Sequence, residues 1–101
     1  DSDRRVKELK GNSRPINSQE DRKFMLESIK YIDQVVIFNS EEDLEDLILH
    51  LSPQTMIVGE DYKNKRVVGH LPDIELKFFK KIHGYSTTDT IQHIARRWFL
   101  C

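Results

Sequence analysis

The sequence holds one cysteine in 101 residues, and that cysteine is the last residue, Cys101. No disulfide can close within the chain, and a reducing, cytoplasmic setting is the simplest expectation. Long apolar runs are missing too. None approaches the roughly 20 residues needed to span a bilayer, and no signal-peptide pattern is present, so a membrane partner is not expected. The chain also lacks an excess of either charge. Sixteen Lys and Arg face seventeen Asp and Glu, a formal net charge of −1. Such a balance gives no global field to draw in nucleic acid or an anionic membrane. Repeats and low-complexity segments are absent. Nor does the chain open on methionine: Asp1 leads at once into a polar cap and a helix. Processing, a boundary or a missing segment is expected before it.

What is there suits one small domain with a modest core. "DSDRRVKELKG" reads as a short helix, capped by Ser2 or Asp3 and ended by Gly11. "GNSRPINSQED" is a loop of turn-forming residues. A second helix starts at Ser18, with Asp21 as a weaker capping-box partner. Met25, Ser28, Ile29 and Ile32 share a face of it, with Phe24 alongside. "QVVIF", Gln34–Phe38, is short, β-branched and continuously apolar, the pattern of a strand buried on both faces. Ser40 caps a third helix with a stripe of Leu44, Leu47, Ile48 and Leu51, and Pro53 stops it. "TMIV", Thr55–Val58, reads as the next buried strand, and strand–helix–strand makes a right-handed crossover unit. A long polar loop follows, of a length that is often functional. "IELKFFKKI", Ile74–Ile82, reads as a third strand, more polar and nearer an edge. A last helix carries Ile91, Ile94, Ala95 and Trp98 on one face.

The alternation predicts an α/β fold around a parallel sheet. Ligands of such sheets bind outside the carboxyl ends of the strands. The loop after Phe38, "GEDY" after Val58 and "HGYSTT" after Ile82 fall there. The last also opens a helix, whose unpaired N–H groups and partial positive charge suit phosphate. Serine and threonine are ordinary helix caps as well. The residues alone leave both readings open.

Four segments in order resemble the nucleotidyltransferase superfamily that includes the cytidylyltransferases. "LKGNSRPINSQEDR" (Leu9–Arg22) is similar to the Lys-Gly-x-x-Arg-Pro…Arg segment of ADP-heptose synthase adenylyltransferase domains. "YIDQVVIF" resembles the helix-to-strand corner of the heptose and glycerol 3-phosphate enzymes. "VGEDYKNKRVVG" (Val58–Gly69) resembles the heptose-type "GGDYK" loop. "GYSTTDTI" (Gly84–Ile91) resembles the "ISTT" motif before the last helix. Together they cover most of the chain. Lys30 and Lys81 stand where the glycerol 3-phosphate enzymes carry arginines, and lysine lacks the bidentate fork. That weighs toward the heptose branch.

The resemblance implies a Rossmann-like parallel sheet flanked by helices, with residues 1–101 forming the C-terminal part of a single nucleotidyltransferase domain. It implies transfer of a nucleoside monophosphate from a nucleoside triphosphate to a sugar phosphate, with release of pyrophosphate. Mg²⁺ would accompany the nucleotide, and the protein would chiefly position groups and neutralise charge. Lys10 would pair with phosphate as the catalytic cation. Arg14 and Arg22 would hold phosphate oxygens or brace the Lys10 loop. Gly59 would let the nucleotide approach the backbone, Asp61 and Tyr62 would line its pocket, and Ser86, Thr87 and Thr88 would cradle the triphosphate. No resident metal site is implied. Each residue has a plainer reading beside this one: a solvated lysine at a helix end, surface arginines, a shaped turn, a simple cap. Trp98 and Phe99 read better as packing or an oligomer contact than as a ligand platform.

The family's His-x-Gly-His signature does not occur here, and His50, His70, His83 and His93 are scattered. The first strand, the histidine helix and the second strand are therefore expected before Asp1, in cis or as a second chain. Without that first strand, the apolar faces of the remaining strands should be exposed. A homodimer is a further expectation from the family. Glycerol 3-phosphate cytidylyltransferase is the alternative enzyme, and a non-catalytic nucleotide-binding domain the alternative of a different class.

Overall fold

Four serines set where the helices of this chain begin. In a computed structural model, which describes residues 1–98, helix α1 (Asp3–Lys10) starts after Ser2, α2 (Gln19–Glu27) after Ser18, α3 (Glu41–Leu51) after Ser40 and α4 (Thr87–Trp98) after Ser86. Each serine Oγ accepts the backbone N–H three residues on, at 3.2, 3.2, 3.1 and 3.1 Å. One otherwise orphaned donor is satisfied per helix. Phe99 and Cys101, both invoked from the sequence, lie outside the described residues.

Two strands lie among the described residues, β1 (Thr55–Gly59) and β2 (Glu75–Phe79). They pair in parallel, from Thr55 opposite Glu75 to Gly59 opposite Phe79. The fold class is α/β, as the alternation of elements predicts. Two compact units divide the chain: Asp1–Pro53 with Val68–Leu71, and Gln54–Val67 with the chain from Pro72 onward.

In the first unit the start of α1 is tied down from several sides. Ser2 is buried, and its N–H donates to the Phe38 carbonyl at 2.9 Å. The Asp3 N–H donates to Gln19 Oε1 at 2.9 Å, and the Arg5 guanidinium lies 5.9 Å from the centre of the Phe38 ring. Helix α3 buries Ile48 and closes on Ser52, a left-handed residue at φ 47 followed by Pro53. Gly69 covers Ile48. At φ +80 it is left-handed, and a Cβ there would overlap the Ile48 Cδ1.

Two expectations fail in this unit. Gln34–Phe38 is not a strand. Its composition suits one, but a strand exists only as part of a ladder, and among the described residues β1 and β2 pair only with each other. The strand–helix–strand unit expected from Gln34 to Val58 is accordingly a helix–strand. Helix α2 also stops early. Ser28 returns both its N–H and its hydroxyl to the Phe24 carbonyl. Beyond it the bonds tighten to three-residue turns, the Ile29 N–H on the Leu26 carbonyl and the Ile32 N–H on the Ile29 carbonyl, both at 3.1 Å, so Ile29 and Ile32 lie outside the helix.

In the second unit Ile74 is buried just before β2. One face of the sheet is open: Ile57 is 68% exposed and Phe79 61%, whereas Met56, Val58 and Leu76 on the other are half-buried. Trp98, expected to pack or to make an oligomer contact, is 77% exposed at the end of α4.

Candidate functional site

Parallel pairing brings the carboxyl ends of β1 and β2 to the same edge. Beyond β1, Gly59 leads into a 3₁₀ turn, Glu60–Tyr62, closed by the Lys63 N–H on the Glu60 carbonyl at 3.0 Å. Gly59 has an ordinary φ of −63. Its lack of a side chain matters for space: a Cβ would sit 2.5 Å from Asp61 Oδ1. Beyond β2 the chain leaves regular structure as far as Ile82, turns at Gly84 (φ 86) and enters α4 through Ser86.

These two exits enclose an open cavity of about 370 Å³ lined by Gly59, Asp61, Phe79, Lys81, Ile82 and Tyr85. Two of the residues singled out in the sequence, Gly59 and Asp61, lie in its wall. Tyr62 belongs to the same 3₁₀ turn, with the Lys65 ammonium 6.0 Å from its ring centre. Ser86, Thr87 and Thr88 follow Tyr85 directly. The Ser86 Oγ accepts the Asp89 N–H, and its carbonyl accepts both the N–H and the hydroxyl of Thr90 at 3.0 Å. Ser86 is therefore a helix cap. A capping hydroxyl keeps its own proton to donate, so capping does not consume its capacity for an anion. Thr87 and Thr88 are exposed in the first turn of α4.

Lys10, Arg14 and Arg22 belong to the other unit. Lys10 is exposed at the end of α1, where a cation also suits the helix dipole. Arg14 is half-buried in the following loop, before a cis bond to Pro15. Arg22 is held on three oxygens: Asp3 Oδ1 at 2.9 Å, the Asn17 carbonyl at 2.6 Å and the Asp1 carbonyl at 2.7 Å. It thereby clamps the start of α2 to the start of α1. A second open cavity of about 660 Å³, lined by Asn17, Asp21, Arg22, Phe24, Met25 and Leu26, lies beside this clamp.

Sequence reasoning did not assign Phe79, Lys81, Ile82 or Tyr85 to the site. Their signal was position: all four lie at or just beyond the end of a parallel strand, where ligands of α/β sheets bind. Glu60 was also passed over. Its carboxylate accepts the Lys81 N–H at 3.0 Å and joins the two exits.

The sequence of the chain is similar to known proteins. The family model described as cytidylyltransferase-like matches residues 2–93. The chain is 47% identical over 93 residues to the bifunctional protein HldE of Aliarcobacter butzleri (strain RM4018), covering 92% of the chain and 19% of that protein. It is 45% identical over 93 residues to the bifunctional protein HldE of Campylobacter fetus subsp. fetus (strain 82-40), covering 92% and 20%. Against that of Helicobacter pylori (strain HPAG1) the figures are 41% over 95 residues, 94% and 20%. The chain thus spans about a fifth of the length of these relatives. No solved structure matches it significantly. With its family motifs in order and its strand exits meeting at one cavity, the chain belongs to the cytidylyltransferase-like family.

Proposed function

We propose that this chain is the nucleotide-binding part of a nucleotidyltransferase that moves a nucleoside monophosphate from a triphosphate to a sugar phosphate, releasing pyrophosphate. A heptose 1-phosphate acceptor and ATP fit best. The observation that carries the reading is the convergence of Gly59 and Asp61 with Lys81, Ile82 and Tyr85 on one cavity, Tyr85 standing directly before the Ser86 cap of α4. A glycine at the exit of one strand and a helix N-terminus that follows the exit of the other in sequence suit a triphosphate. Family membership and the HldE relatives support transferase chemistry.

In this reading Gly59 admits the nucleotide to the backbone, Asp61 and Tyr62 line its pocket, and Ser86, Thr87 and Thr88 hold phosphate oxygens. The family resemblance gives Lys10 and Arg14 phosphate-pairing roles, and both stand in the first unit. Arg22 serves through its clamp on Asp1, Asp3 and Asn17. Mg²⁺ fits the donors present. It is commonly held by one or two carboxylates together with substrate phosphates, and the Asp61 carboxylate lines the cavity. When bound it would neutralise phosphate charge. Catalysis calls for a histidine-bearing segment, in cis or on a second chain, because this sequence contains no His-x-Gly-His. The same observation favours a second reading, a binding domain without chemistry of its own.

Calorimetric titration of the chain with Mg-ATP and Mg-CTP tests the binding claim. Saturable ATP binding, weakened by joint Thr87→Ala and Thr88→Ala substitution, is expected. Equal binding by wild type and double variant contradicts the cradle. Pyrophosphate release with several sugar phosphates, measured on the chain joined to a histidine-bearing segment, then separates enzyme from binding domain.

A further inference from the structure

The β1–β2 ladder has a fixed rhythm. The Glu75 N–H donates to the Gln54 carbonyl at 3.0 Å, and the register holds from Thr55–Glu75 to Gly59–Phe79. In a parallel ladder such donors recur every second residue. The next rungs fall from Lys77 to Met56, from Phe79 to Val58 and from Lys81 to Glu60. At the last of these the backbone defaults. The Glu60 carbonyl has turned away into the 3₁₀ turn, where it accepts the Lys63 N–H. The Lys81 N–H instead meets Oε1 of the Glu60 side chain, at 3.0 Å. The carboxylate occupies the ladder position that its own carbonyl has left.

We propose that Glu60 is a positioning residue for the nucleotide site: its carboxylate supplies the final rung of the ladder and holds the Lys81–Tyr85 wall of the cavity against the Gly59–Asp61 turn. This rests on the function proposed above. The heptose-type loop that this segment resembles reads "GGDYK", so Glu60 stands at a glycine of that motif. Glycine has no side chain with which to make the rung. The side-chain rung lets the turn bend away from the sheet without freeing the exit of β2. Lys81 and Tyr85, both in the cavity wall, are the residues it places. Glu60 itself is not among the lining residues, so its effect on a ligand passes through that wall.

The test compares Glu60→Ala, Glu60→Gln and wild type in the whole chain by two measurements. Hydrogen exchange at the Lys81 amide reads the rung without any ligand. Glu60→Ala should speed it by about fivefold, the size expected for one exposed hydrogen bond, and Glu60→Gln, which keeps an acceptor oxygen, should stay near wild type. Unchanged exchange in Glu60→Ala overturns the rung. Mg-ATP titration, with melting temperatures recorded alongside, reads the positioning. Glu60→Ala should raise the Kd severalfold, with rescue by Glu60→Gln. A residue that merely stabilised the fold would lower the melting temperature and leave the affinity of the folded chain unchanged, and that result overturns the positioning role. Equal loss in both variants overturns it as well, because bare charge would then be responsible. If wild type binds no nucleotide, the functional reading fails, and with it the positioning role, while amide exchange still decides whether the rung exists.

Discussion

Ser86 shows how one residue can answer two questions. The sequence offered a cap or a phosphate ligand, and the geometry makes it a cap whose proton remains available. The two roles separate by mutation. Ser86→Ala removes the acceptor for the Asp89 N–H and should cost about 1 kcal/mol of stability, read by chemical denaturation. Thr87→Ala leaves that cap intact, so it should keep the melting temperature and weaken ATP binding. Serine caps are legible because their chemistry is local, three residues from donor to acceptor. Arg22 was less legible, because its acceptors sit at Asp1, Asp3 and Asn17. The Arg22 and Asp3 side chains are 30% and 36% exposed, so solvent screens the pair. Arg22→Ala should cost about 1 kcal/mol rather than the larger sum of a buried ion pair. A denaturation midpoint indistinguishable from wild type would show that the clamp does not hold α1 to α2.

The elements were readable where sequence signals end within the element. Helices α2 and α3 begin at the expected serine caps, Ser18 and Ser40, and α1 takes Ser2 of its two candidates, Ser2 and Asp3. Strand β1 falls on the β-branched run, and β2 lies within the predicted Ile74–Ile82. Gln34–Phe38 was misread because strand formation depends on a neighbour that composition does not reveal. Strand β2 is shorter than predicted because its partner runs out at Gly59. The packing of Gly69 on Ile48 was hidden too, since the two residues come from separate parts of the chain. Gly69→Ala should be destabilising on two counts, a left-handed φ and an overlap with Ile48. Together these should cost about 2–3 kcal/mol, measurable as a lower urea midpoint. Ala at the exposed Gly11, where a Cβ meets nothing within 4 Å, carries only the φ cost and serves as the control.

At the scale of the molecule, family and fold class were legible from four ordered segments, and the family match over residues 2–93 agrees. The cavity wall was only half legible. Gly59 and Asp61 belong to a motif, whereas Lys81, Ile82 and Tyr85 reach the cavity through strand register, which a single sequence does not display. Among the described residues only Ile48 and Ile74 are buried apolar side chains, and the sheet face that carries Ile57 and Phe79 stays open. The nucleotide reading therefore rests on the edge where the strands end rather than on a filled core. Amide chemical-shift mapping of the ¹⁵N-labelled chain during a Mg-ATP titration tests that reading most directly. Saturable shifts centred on Gly59–Tyr62 and Lys81–Thr88, with α3 unmoved, are predicted. An absence of saturable shifts, or shifts confined to the Phe24–Leu26 face of α2, would contradict it.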